Sequence, residues 1–139
     1  MKILKAEGRV NFQSLLGKRE AFWNLLGQVQ PDIVLGSETW MTANMTESEM
    51  LPPTYKFAAQ RDRPGSAHGG VAVITKTNLE TSEILISSDV ELAAVSIQTR
   101  GKPLVVCSLY RPPDNNSDYS QRLCNAMTDL HRKHRNHVI

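Results

Sequence analysis

Residues 18–40 constrain this chain more than any other stretch. Phe22, Leu25, Leu26 and Val29 recur at i, i+3, i+4 and i+7, with Lys18, Arg19, Glu20, Asn24 and Gln28 between them, which predicts an amphipathic helix. Pro31 closes it, because a proline disfavours helical backbone in the residue before it. Asp32-Ile33-Val34-Leu35-Gly36-Ser37 follows at once, an apolar run of strand length. A helix that feeds a buried strand has to pack against the sheet that strand joins, which is the α/β arrangement. The run ends at a carboxylate, Glu38, followed by Thr39 and Trp40. Side chains at the carboxyl ends of strands face the crevice above the sheet, so Glu38 is a candidate metal or substrate ligand.

The remainder reads as strands followed by one helix. Residues Met41 to Pro53 are polar and proline-terminated, a loop holding one helical turn. Tyr55 to Gln60, Gly69 to Ile74, Thr81 to Ser87, Glu91 to Thr99 and Pro103 to Tyr110 are strand candidates, the last almost wholly apolar as a central strand should be. Gly69-Gly70 lacks the spacing of a phosphate loop and fits the start of a hairpin strand. The succession suggests a meander more than a βαβ series. Asn116 or Ser117 can cap a final helix whose buried face is Tyr119, Leu123, Ala126, Met127 and Leu130, and Val138-Ile139 looks like the beginning of another strand.

At 139 residues the chain has room for one domain with a core and not for two. A net charge of +2 does not by itself argue for nucleic acid. Cys107 and Cys124 sit in apolar segments expected to be buried, without a pairing pattern, which suggests a reducing compartment and no disulfide scaffold. No signal peptide or transmembrane run is visible, so no membrane association is expected, and nucleus or cytoplasm is the expected location. His131, His134 and His137 with Cys124 invite a zinc reading, but basic side chains are favoured at a helix C-terminus anyway and a second cluster is absent from the sequence.

Four ordered motifs then fall into one pattern: Asn11-Phe12-Gln13-Ser14-Leu15, Asp32 to Trp40, Gly69-Gly70-Val71-Ala72-Val73, and Ser108-Leu109-Tyr110-Arg111-Pro112-Pro113. Together they resemble the endonuclease domain of non-LTR retrotransposons, within the endonuclease/exonuclease/phosphatase superfamily that includes deoxyribonuclease I and the apurinic endonucleases. The fold implied is α/β, a partial α/β sandwich of the deoxyribonuclease I-like type, roughly its first half. Glu38 matches the family's metal-ligand glutamate, which implies Mg²⁺ or Mn²⁺. Asn11 matches an asparagine that orients the metal-side network, and Tyr110 a tyrosine whose hydroxyl meets the scissile phosphate. Arg111 is a weaker candidate for a phosphate contact, and DNA is the implied partner.

The departures from the family are equally specific. The family completes its site with a Gly-Asp-Phe-Asn-type motif and an Asp-His pair, and these residues contain neither. Lys5-Ala6-Glu7-Gly8-Arg9 stands where relatives have an apolar first strand, so residues 1–9 are atypical and the placement of Asn11 depends on them. Because the final helix is followed by only two apolar residues, the expectation is one C-terminally truncated domain over residues 1–139. A fragment of a metal-dependent DNA endonuclease, inactive as given, is the leading reading. A non-catalytic nucleic-acid-binding remnant and a decayed frame without function are the alternatives. Read without the motifs, Glu38 is a solvated acid, Tyr110 a core-edge aromatic and Asn11 a turn residue.

Overall fold

Apolar runs buried on both faces set the architecture. In the computed structural model, which describes residues 2–6, 19–37, 47–61, 70–86, 90–109 and 117–133, seven strands form two sheets. The elements are β1 (Ile3–Ala6), α1 (Arg19–Val29), β2 (Ile33–Ser37), α2 (Glu47–Met50), β3 (Tyr55–Arg61), β4 (Val71–Lys76), β5 (Thr81–Ile84), β6 (Leu92–Ile97), β7 (Leu104–Leu109) and α3 (Ser117–Lys133). One sheet has the order β1-β2-β4-β3 and the other β5-β6-β7.

Alternation along the strands distributes the core over three interfaces. Val71 and Val73 of β4 pack with Val95 and Ile97 of β6 between the sheets, while Ala72 and Ile74 point the other way into a cluster with Phe22 and Leu26 of α1. On the outer face of the second sheet, Leu92, Ala94 and Val105 meet Leu123, Ala126 and Leu130 of α3. The layers therefore run helix, sheet, sheet, helix. β4 and β6 read as continuous apolar segments because both faces of each are covered.

The structure revises three sequence expectations. A first strand does form over Ile3–Ala6 despite the charged residues that follow Leu4, and among the described residues it pairs with β2 alone, parallel, with Ile3 opposite Ile33 and Ala6 opposite Gly36. An edge strand with one partner tolerates a short, charged sequence that a central strand would not. The pair β1 and β2, joined through α1, is a βαβ unit, so only β5-β6-β7 is a simple meander. Also, Cys124 is exposed on α3 rather than buried, whereas Cys107 is half-buried and burial pushes its thiol up from the ordinary range.

The turn after α1 is fixed by polar contacts. Gln30 takes a left-handed φ of 50° immediately before Pro31, and the Tyr55 hydroxyl donates to the Pro31 carbonyl at 2.7 Å. Asp32 accepts from the Lys2 backbone N–H at 2.7 Å and pairs with Lys76 Nζ at 3.3 Å. The hydrogen bond from the Lys2 amide holds the Asp32 carboxyl below its ordinary value of 3.8; burial opposes it, and Lys76 adds to the lowering. A folded-state value below the unfolded one stabilises the protein above about pH 4, and that contribution is lost as pH falls through the folded value. Asp32→Asn should therefore flatten the acid limb of stability, measured as the urea midpoint between about pH 5 and pH 2, and leave the slope above it unchanged. Among the described residues no helix is long and apolar enough to cross a membrane.

Candidate functional site

One end of the sandwich gathers the strand ends that the motifs single out. β1 and β2 stop together there, with Ala6 opposite Gly36, and β4 begins beside them, with Val71 opposite Ser37. β3 finishes at the same level, Arg61 opposite Val71, and β7 ends at Leu109 opposite Leu92, the first residue of β6. Parallel and antiparallel pairings thus bring the carboxyl ends of four strands to one rim.

Two buried hydrogen bonds join the sheets at this rim. The Ser108 hydroxyl on β7 donates to the Gly36 carbonyl on β2 at 2.9 Å, and Ser108 is only 6% exposed. The Gly70 N–H donates to Oε1 of Glu91 at 2.9 Å, with Glu91 also 6% exposed. Gly70 has φ 91°, a left-handed conformation that glycine takes without the steric cost a side chain adds, so the chain can turn sharply into β4. The Glu91 N–H donates in turn to the Tyr119 hydroxyl at 2.9 Å, which ties the rim to the first turn of α3.

Glu38 directly follows Ser37 of β2, and Tyr110 directly follows Leu109 of β7. These two residues, with Asn11 and Arg111, lie outside the described residues, as do Gly69, Trp40, His134 and His137. Asn11 comes five positions after Ala6, the last residue of β1. What the described residues supply is the frame: adjacent ends of β2 and β7, cross-linked one step inside. Ser108 and Glu91 were not picked out by the sequence pattern. The signals that mark them are a hydroxyl inside the apolar run Leu104–Leu109 and an acid at the head of the apolar run Leu92–Ile97.

A divalent ion is implied by the motif at Glu38, and the described residues do not by themselves fit one. Among them no three His, Cys, Asp or Glu side chains come together, and the buried acid at the rim, Glu91, has an oxygen engaged by the Gly70 amide. His131 and Cys124 are both exposed on α3, and no zinc set forms among the described residues. A groove of about 580 Å³ lies at the opposite end, lined by Trp23, Leu26, Tyr55 and Lys76 among others. Its ammonium is already paired with Asp32, and Tyr55 donates to Pro31, so it presents no reactive set.

Two sheets packed face to face between helices, with strand ends converging at one rim, define the endonuclease/exonuclease/phosphatase fold. Solved structures of that fold superpose on the chain. The endonuclease domain of TRAS1, a telomere-specific non-LTR retrotransposon, matches with a TM-score of 0.66 and 17% identity, covering 95% of this chain and 54% of that one. The catalytic domain of human nocturnin matches at 0.62 and 12%, covering 91% and 57%. The 3′-5′ exonuclease NExo of Neisseria meningitidis matches at 0.62 and 15%, covering 96% and 54%. The chain spans about half the length of these structures. No family model matches the sequence, and no curated protein does.

Proposed function

We propose that this chain belongs to a metal-dependent phosphodiesterase of the retrotransposon-endonuclease type, and that these 139 residues bind DNA without cleaving it. The observation that carries the reading is the bond between Ser108 and Gly36, residues 72 positions apart, which holds β2 and β7 together two positions before Glu38 and Tyr110 in the sequence. The likeness to a retrotransposon endonuclease supports it, as does the likeness to a NExo structure bound to product DNA hairpin. In this reading Glu38 is the ligand for Mg²⁺ or Mn²⁺, Asn11 orients the metal-side network, Tyr110 offers its hydroxyl to the phosphate, and Arg111 adds a weaker phosphate contact. A bound divalent ion would supply charge neutralisation at the phosphate.

Cleavage is not part of the proposal, because hydrolysis also needs an activated water placed in line. The Gly-Asp-Phe-Asn-type and Asp-His motifs that serve this end in the family are absent from these residues. Incubation with supercoiled plasmid and Mg²⁺ should give no nicking above the level of Glu38→Ala. Duplex DNA should be retained on the protein, with an affinity that falls linearly in log–log terms as salt rises. Nicking that Glu38→Ala abolishes would show the set to be sufficient after all, and failure to bind DNA at low salt would remove the assigned ligand. DNA binding indifferent to both Mg²⁺ and Glu38→Ala would favour a non-catalytic nucleic-acid-binding role.

A further inference from the structure

We propose that the sandwich carries a notch for one added strand, formed by the free edge of β7 beneath an overhang of β1, and that its occupant is an extended, uncharged segment of another polypeptide. The two sheets are staggered. β5 lies across from β3, β6 from β3 and β4, and β7 from β4 and β2, so the first sheet reaches one strand further than the second and ends in β1. Ile3 shows the consequence. It pairs with Ile33, which puts both side chains on one face of the sheet, yet Ile33 is fully buried between the sheets while Ile3 is 44% exposed. Among the described residues, no strand of the second sheet lies beneath β1 as β7 lies beneath β2.

The two sides of the sandwich finish their edges differently. On the side of β3 and β5, the register of β3 shifts between Phe57 and Ala59, and β5 is four residues long with Ser82 and Glu83 exposed. Two arms also lace that side shut: Lys56 Nζ donates to the Leu79 carbonyl at 2.9 Å and the Arg61 guanidinium to the Ile86 carbonyl at 2.8 Å. Bulges, charges and shortness are the ordinary means of keeping an edge from pairing. β7 has none of them. Its six residues carry no charge or proline and pair with β6 in unbroken register. The first sheet and α3 cover its faces, so what stays open is the edge, where alternate N–H and C=O groups point away from β6. Among the described residues no strand bonds to them. An added strand would complete that ladder, with alternate side chains meeting Ile3 on one face and Leu109, 41% exposed, on the other. A charged segment would bury its charge beside Ile33 and Val106 without a partner. A second copy does not fit, because β7 paired with its copy about a two-fold axis normal to the sheet puts the copy's β2 where β1 stands.

A short fluorescent peptide of alternating valine and threonine, with a lysine at each end, is the probe, titrated into the whole chain. Saturable binding is expected, and alternate amides of Leu104–Leu109 should exchange with deuterium about tenfold more slowly, the scale of one hydrogen bond gained. The same peptide methylated on every backbone nitrogen should not bind. Ile3→Lys, at an exposed position, should weaken the peptide about tenfold, the scale of one lost apolar contact, and leave the unfolding midpoint unchanged. Absence of binding, equal binding by the methylated peptide, or binding that leaves Leu104–Leu109 exchanging at the free rate overturns the proposal. Protection of these amides that grows with protein concentration alone also overturns it, since a second copy is then the occupant. Should Ile3→Lys not fold, Ile3→Ser removes the same apolar contact, and an unchanged affinity in that variant overturns the proposal equally. Each of these outcomes is independent of whether the chain binds DNA.

Discussion

Phe22→Ala is expected to lower the unfolding free energy by about 3–5 kcal/mol, the range for truncating a buried aromatic. Phe22 is 3% exposed and belongs, with Leu26, to the cluster that attaches α1 to Val34, Ala72 and Ile74 of the first sheet. Because a domain of this size is stable by only about 5–15 kcal/mol, the loss is a large share of the whole. Urea unfolding followed by circular dichroism checks it, and a shift in midpoint equivalent to less than about 1 kcal/mol would mean that α1 is not docked through this face. The neighbouring exposed Asn24 offers a control, since Asn24→Ala on the solvent side should change stability by no more than about 0.5 kcal/mol.

Ser108→Ala comes next in expected size, at about 1–3 kcal/mol, because it leaves the Gly36 carbonyl buried without its hydroxyl partner. The variant retains nearly the same volume, so the loss measures the polar contact and not a cavity. Amide resonances of Ser37 and Leu109 should move with it, since these residues end the two strands that the bond joins. A stability change within about 0.3 kcal/mol, together with unmoved resonances, would show that the sheets are held at this rim by packing alone.

Much of the local structure could be read directly from residues. The period of Phe22, Leu25, Leu26 and Val29 marks α1, and the apolar runs of β2, β4, β6 and β7 mark strands covered on both sides. The four ordered motifs pointed to the right fold. β1 was obscured because four residues at a sheet edge carry little hydrophobic signal, and its existence depends on pairing with β2. The run from Thr81 to Ser87 proved shorter as a strand, ending at Ile84, because β-branched composition does not say where a partner stops.

The candidate site divides along the same line. Glu38 and Tyr110 could be nominated from their places after apolar runs, while Ser108 and Glu91, which brace the strands beneath them, could not. A serine within a strand and an acid at its head look ordinary until a partner is known. Their partners, Gly36 and Gly70, lie 72 and 21 residues away.

By itself, then, the sequence determined the helices α1 and α3, the strands from β2 onward and which of them must be buried on both faces, because periodicity and apolar content act over a few neighbouring residues. Only the tertiary structure decided that β4 enters between β2 and β3, that β1 runs parallel to β2, and that the ends of β2 and β7 meet across the sandwich. Those outcomes depend on contacts between segments distant in the chain, whose hydrogen-bonding groups are the same in every strand and acquire a partner only when the two sheets pack.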